Sequence, residues 1–245
     1  MAAGEDDVPK PAVAVVLAAG ASRRMAGRDK IFAPLAGRPL VYWGLALCER
    51  SSAVRDVVVV AAAGAEGRIC ALVEDYRFGK VRAVVAGGER RQDSARAGVA
   101  ACAALASPES PVLVHDAARP LAGEELVRRV VAALANADGA VPAVPVADTV
   151  KRVDEEGRAV VATLARERLR AAQTPQGFRW ACLAAAYERA EREGWDITDD
   201  AAAVERDGGR VVVVAGEINN FKVTYPEDLE RAELFLSRAP KYSSP

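Results

Sequence analysis

The 245-residue sequence predicts an α/β fold built on a Rossmann-like, doubly wound, mostly parallel sheet from which a β-hairpin protrudes. Three observations predict it. Short valine-rich runs are apolar at consecutive positions, the pattern of strands covered on both faces. Amphipathic stretches of helical length separate these runs. After Pro145 the alternation breaks, and two thinly hydrophobic segments flank an acidic turn.

The first strand is expected at 12–17, ahead of a turn of small residues and a helix at 40–50 that begins behind Pro39. Strands at 57–62, 81–86, 112–115 and 139–144 follow, with helices at 66–75, 93–105 and 123–135 between them. Pro108 and Pro120 mark further boundaries. The βαβ order implies helices on both faces of the sheet. The segments 148–153 and 158–164, around Asp154-Glu155-Glu156-Gly157, read as the hairpin. Two polar strands are marginal alone, so the hairpin is expected to rest on another surface, a second copy of the chain being the simplest. Helices at 180–193 and 199–207, a strand at 211–215 and a closing helix at 226–237 complete the chain. A single catalytic domain is expected over 12–238, including an arm at 146–172, with flexible tails at 1–10 and 239–245.

About half of the residues, 51%, are hydrophobic, enough for one substantial core. Lys plus Arg is 33 and Asp plus Glu is 34, so no global field exists to hold nucleic acid or an anionic membrane. Positive charge that matters must be local. The segment 1–11 carries Glu5, Asp6 and Asp7 and lacks the features of a secretory or transit peptide. The apolar runs are too short to span a bilayer, and a cytoplasmic protein is expected. The cysteines at 48, 70, 102 and 182 show no CxxC spacing and are expected to be buried and inert. His115 is the only histidine, which argues against a Cys/His zinc site.

Ligands of open α/β sheets bind beyond the carboxyl ends of the strands. After the first strand stand Ala18, Ala19, Gly20, Ala21, Ser22, Arg23 and Arg24, then Lys30. Small residues let the backbone approach phosphate, and Arg24 and Lys30 add charge. Neither GxxxxGK[ST] nor GxGxxG is present. After the third strand, Gly87, Gly88, Arg91 and Ser94 lead into a helix whose start favours an anion, with Ser94 either its cap or a ligand contact. After the fourth strand, Asp116 is placed to hold Mg²⁺, which favours carboxylate plus phosphate oxygens. A hydrolase triad of Ser94, His115 and Asp116 is set aside, because GxSxG is absent and neighbours on a strand face opposite ways. Thr149, Lys151, Arg152 and Arg166 decorate the hairpin, where a solvated strand edge is the simpler reading from the residues alone. Lys222 precedes the last helix.

The ordered set LAAGASRRM with Lys30, GGERRQDS, VLVHDAARP, PVADTVKR, AQTPQGF, ITDDAAAVE and NNFKVTYPEDL resembles the 2-C-methyl-D-erythritol 4-phosphate cytidylyltransferases over nearly the whole chain. The resemblance implies a fold of the nucleotide-diphospho-sugar transferase type. It also implies transfer of CMP from CTP to methylerythritol phosphate with release of pyrophosphate, in isoprenoid precursor synthesis. In this reading Ala18, Ala19 and Gly20 line the cytidine and phosphate site, and Gly88, Arg91 and Ser94 hold base and ribose. Arg24 and Lys30 clamp the triphosphate, and Asp116 sits at the magnesium. Arg166 and Lys222 position the acceptor. Thr149, Lys151 and Arg166 lie on an arm that crosses into a partner subunit, giving a homodimer with composite sites. Asn219 stands where family members often carry an acidic residue. Three other readings are a ribitol-5-phosphate cytidylyltransferase, a transferase for another base, and a nucleotide-binding regulatory domain without turnover.

Overall fold

Strand β1 (Ala12–Ala18) is buried at every position and forms the middle of the sheet. The computed structural model describes residues 10–20 and 29–238, so Arg24, the rest of 21–28 and most of both expected tails lie outside the described residues. The two-residue strands β2 (Pro34–Leu35) and β3 (Arg38–Pro39) form a small hairpin, followed by α1 (Leu40–Arg50), β4 (Val54–Ala61), α2 (Glu66–Asp75) and β5 (Val81–Ala86). Next come α3 (Arg91–Ala101), β6 (Pro111–Asp116), α4 (Glu124–Ala133) and β7 (Gly139–Pro145). The arm is β8 (Lys151–Val153) with β9 (Val160–Thr163). The chain continues with β10 (Arg170–Ala172), β11 (Gln176–Arg179), α5 (Trp180–Arg192), α6 (Asp200–Arg206), β12 (Val211–Ala215) and α7 (Pro226–Arg238).

The main sheet has eight strands, with β5, β4, β1 and β6 parallel and adjacent. The sequence places the fifth long strand as a further parallel member, and β7 does run that way, but it does not touch β6. Strand β11 lies between them, antiparallel to both. Strand β12 pairs in parallel with the other edge of β7, and β10 pairs antiparallel with its carboxyl end. Two features hide β10 and β11 in the sequence: Pro175 interrupts the stretch, and β11 opens on a polar residue. That residue, Gln176, is buried because its amide is satisfied twice, donating to Asp199 Oδ2 and accepting from the Ala201 N–H.

Alternate residues of β1 feed two cores. Ala12, Ala14, Val16 and Ala18 pack with α1, α2, α4 and α7, whereas Val13, Val15 and Leu17 pack with α3, α5 and α6. This is the doubly wound arrangement. Helix α3 approaches the sheet through Gly98, where an added Cβ would stand 2.3 Å from Val15 Cγ1 and 2.7 Å from Val60 Cγ2. Valine side chains are stiff at χ1, so Gly98→Ala is expected to destabilise the protein by about 1–2 kcal/mol, overpacking outweighing the gain in helix propensity. A urea unfolding midpoint at or above that of the parent would show that the layers part without cost.

The start of α3 differs from expectation. It begins at Arg91, two residues early, and Ser94 is inside the helix rather than its cap. Asp93 supplies the cap from within the first turn, its carboxylate accepting the Arg90 N–H at 3.1 Å. The arm strands are shorter than expected. The Asp154 carboxylate closes their turn by accepting the N–H groups of Arg158 and Ala159. Cys48 and Cys102 are buried, and burial pushes both thiols up to about 12. Cys70 departs from expectation: it is exposed, because α2 buries only Ile69 and Leu72. Among the described residues no helix is long and apolar enough to cross a membrane.

Candidate active site

The carboxyl ends of β1, β5 and β6 open onto a cavity of about 200 Å³. Its wall carries four cations, Lys30, Arg90, Arg91 and Lys222, against two carboxylates, Glu89 and Asp116. The positive charge is therefore local in a chain whose net charge is −1. Ala19, Gly20 and Ser94 line the same cavity. Ala18 instead points into the core beside α1, because side chains along β1 alternate.

The turn after β5 is closed tightly. A Cβ on Gly87 would lie 2.5 Å from Ala19 Cβ and 2.7 Å from Ser94 Oγ, so only glycine lets the turn approach the end of β1. Gly88 is not itself on the wall but donates its N–H to Ser94 Oγ at 3.2 Å. The Ser94 hydroxyl thus latches the turn and faces the cavity at once.

Asp116 ends β6 and is the electrostatic centre. Lys222 Nζ donates to its Oδ2 at 2.7 Å, and Arg91 Nε and Nη2 both reach its Oδ1 at 3.3 Å. Its backbone N–H donates to Thr174 Oγ1 at 3.0 Å, which fixes the strand end. Burial by itself raises the carboxyl pKa, but Arg91 and Lys222 outweigh burial and hold it well below the usual carboxylate range. His115 faces the opposite layer. It is 1% exposed, with Nδ1 3.1 Å from Thr174 Oγ1 and with Gly44 of α1 packed against its ring. Burial pulls its pKa down to about 4, so it is neutral at pH 7 and stands apart from Asp116 chemistry.

Lys30 sits in a 3₁₀ turn (Lys30–Phe32), and its Nζ donates to Val223 O at 3.1 Å, beside Lys222. Arg68 of α2 secures this turn by pairing with Asp29 at 2.9 Å and lying 3.7 Å over the Phe32 ring. Asn219 is exposed and not on the cavity wall, while Asn220 is fully buried and donates from Nδ2 to Thr174 O at 2.9 Å. Thr149, Lys151 and Arg166 are not on the cavity wall. Lys151 donates to Thr163 Oγ1 across the hairpin, and Arg166 donates to Ala147 O at the base of the arm.

Sequence reasoning assigns no role to Thr174, Tyr187, Asp200 or Asn220. Three of these lie in the motifs AQTPQGF, ITDDAAAVE and NNFKVTYPEDL, where each stands beside other polar residues and only membership of the motif marks it. Tyr187 has no such mark, standing as one aromatic on the apolar face of α5.

Cations gathered around a turn of small residues at the carboxyl ends of parallel strands, beside one buried carboxylate, fit a nucleotidyltransferase. The 2-C-methyl-D-erythritol 4-phosphate cytidylyltransferase (IspD) family matches residues 12–238. A 2-C-methyl-D-erythritol 4-phosphate cytidylyltransferase from Pelotomaculum thermopropionicum is 45% identical over 225 residues, 91% of this chain and 93% of its own. Among solved structures, 4-diphosphocytidyl-2C-methyl-D-erythritol synthase from Anaerococcus prevotii is similar at 30% identity and a TM-score of 0.80, covering 94% of this chain and 100% of its own. The 2-C-methyl-D-erythritol 4-phosphate cytidylyltransferase from Thermus thermophilus is similar at 36% identity and a TM-score of 0.73, covering 92% and 98%. The chain belongs to the 2-C-methyl-D-erythritol 4-phosphate cytidylyltransferase family.

Proposed function

We propose that the cavity binds CTP and that the enzyme transfers its CMP to 2-C-methyl-D-erythritol 4-phosphate. The observation that carries this reading is Asp116, a buried carboxylate at the end of β6 bracketed by Arg91 and Lys222 in a cationic cleft. An oxygen of the acceptor's 4-phosphate attacks the α-phosphorus of CTP. The new P–O bond forms as the bond from the α-phosphorus to the bridging oxygen breaks, and pyrophosphate leaves with that electron pair. The attacking oxygen is already ionised at neutral pH, so no base is required. Two anionic reactants must still approach, and two unit charges ~4 Å apart repel by about 4 kcal/mol at an effective dielectric near 20. Lys30 and Lys222 offset that repulsion from the cavity wall, and the family resemblance assigns Arg24 to the same task.

Among the described residues no group of three or more His, Cys, Asp and Glu could cage a metal. Asp116 fits Mg²⁺ of the kind that takes one carboxylate and completes its shell with phosphate and water oxygens. Bound there, the ion supplies neutralisation of phosphate charge.

We further infer a homodimer in which Thr149, Lys151 and Arg166 of one arm serve the partner's acceptor site. Val153, Val160 and Val161 are 45%, 60% and 57% exposed on a two-stranded hairpin, apolar surface that a second copy would cover. Arg166→Ala is expected to weaken acceptor binding at least about tenfold and CTP binding less than about twofold. Equal losses for both ligands in titration calorimetry would remove Arg166 from the acceptor site.

The function is tested by pyrophosphate release with Mg²⁺ and CTP, run in parallel with methylerythritol 4-phosphate and ribitol 5-phosphate. Turnover with the first alone is expected. Turnover with ribitol 5-phosphate alone would overturn the acceptor assignment and leave the CTP site standing, and release with neither would overturn both.

A further inference from the structure

Arg91 is shared unequally between two carboxylates. Its Nη2 lies 2.7 Å from Asp200 Oδ2 and 3.3 Å from Asp116 Oδ1. The tighter partner is the one away from the cavity: Asp200 is 0% exposed and is not part of the wall. Tyr187 holds the second oxygen, its hydroxyl donating to Asp200 Oδ1 at 2.5 Å. Burial opposes the charge on Arg91, but Asp200 and Asp116 outweigh it and raise its pKa above the ordinary guanidinium value.

The position of Asp200 is itself fixed. It is the first residue of α6, where a negative charge is favoured. Gln176 binds that helix start on both sides, accepting the Ala201 N–H at 3.1 Å and donating to Asp199 Oδ2 at 2.8 Å. Gln176 belongs to β11, where it pairs with Val114 of β6, two residues before Asp116. Both carboxylates are thereby registered on the same pair of strands, and the spacing between them is set by the sheet.

We propose that Asp200 is a positioning residue that holds the Arg91 guanidinium off Asp116, with Tyr187 as its brace, so that Asp116 remains open towards the cavity. The proposal rests on the reading of that cavity as the CTP site. Lys222, Asp116, Arg91 and Asp200 alternate in charge. A charge-assisted bond from a guanidinium to a carboxylate settles at about 2.7–2.9 Å, and the longer contact to Asp116 is what remains when Asp200 takes the closer share. Without the Asp200 charge, two cations face one carboxylate, and Arg91 closes onto Asp116.

The test is a double-mutant cycle read by CTP affinity in calorimetry, with no acceptor present. Asp200→Asn and Arg91→Lys are each expected to weaken CTP binding about tenfold, and the double variant by little more than either alone, because both act through one guanidinium. A merely structural Asp200 lowers the melting temperature and leaves the two effects multiplicative, near a hundredfold, which would overturn the proposal. So would an Asp200→Asn enzyme that binds CTP within twofold of the parent. If Asp200→Asn does not fold, Tyr187→Phe replaces it in the same cycle, with a loss of about threefold expected and the same non-additivity required. A parent that fails to bind CTP removes the functional reading and this proposal with it. A parent that binds CTP while the variants multiply removes this proposal alone.

Discussion

Asp116→Ala is expected to lower turnover by at least about 10²-fold, because it removes the carboxylate proposed to hold the charge-neutralising Mg²⁺ at the reacting phosphates, and to cost about 3 kcal/mol of stability. The second figure follows from what is left behind. Arg91 and Lys222 both converge on this carboxylate, and removing it strands Lys222 and leaves Arg91 with Asp200 alone. The cost falls at the low end of the usual range because the Lys222 side chain is 39% exposed and can rehydrate its ammonium. The parent carries a pH signature that the variant lacks. The native Asp116 pKa lies below the unfolded value of about 3.9. Its contribution is therefore complete above about pH 4 and is lost as pH falls from there towards the native value. The gap between the urea midpoints of parent and variant should narrow, without closing, as pH falls from about 5 to about 3. A constant gap would mean that Asp116 stabilises by packing and not by charge.

Lys30→Ala is expected to lower kcat by roughly 10²-fold with a smaller change in KM for CTP. Lys30 borders the cavity, and Arg68 holds its turn against α2. A lysine held this way needs little reorganisation when phosphate charge shifts, so its effect belongs to the transition state more than to ground-state binding. The fold should be unaffected, since Lys30 belongs to neither core. Single-turnover kinetics separate the chemical step from binding, and a kcat within twofold of the parent would remove Lys30 from the reaction.

The strand and helix pattern up to β7 was legible because burial on both faces leaves an unbroken apolar run, as at Ala12–Ala18. The inserted strand β11 was not, because its first residue is a glutamine whose burial depends on partners far along the chain. Local pattern misplaced the start of α3 for a related reason. Asp93 acts from the third helical position and resembles a residue standing before the helix. At the site, Asp116, Lys30 and Lys222 could be singled out as charges beside strand ends. The partition of Arg91 between two carboxylates could not, since it depends on distances of a few tenths of an ångström between residues on different elements.

Two ion pairs of the cleft, and the hydrogen bond from Lys30 to the Val223 carbonyl, join parts of the chain that are synthesised far apart. Arg91 and Asp200 are separated by 109 positions, Asp116 and Lys222 by 106, and Lys30 and Val223 by 193. Contacts of such span form late, after the entropy of closing long loops has been met. The strands β1, β4, β5 and β6 can assemble while the remainder is still on the ribosome, but at that stage Asp116 faces neither Lys222 nor an Arg91 restrained by Asp200. The charged contacts of the cleft therefore arrive with the last third of the polypeptide, and an interrupted translation product is left with a sheet but without this cleft.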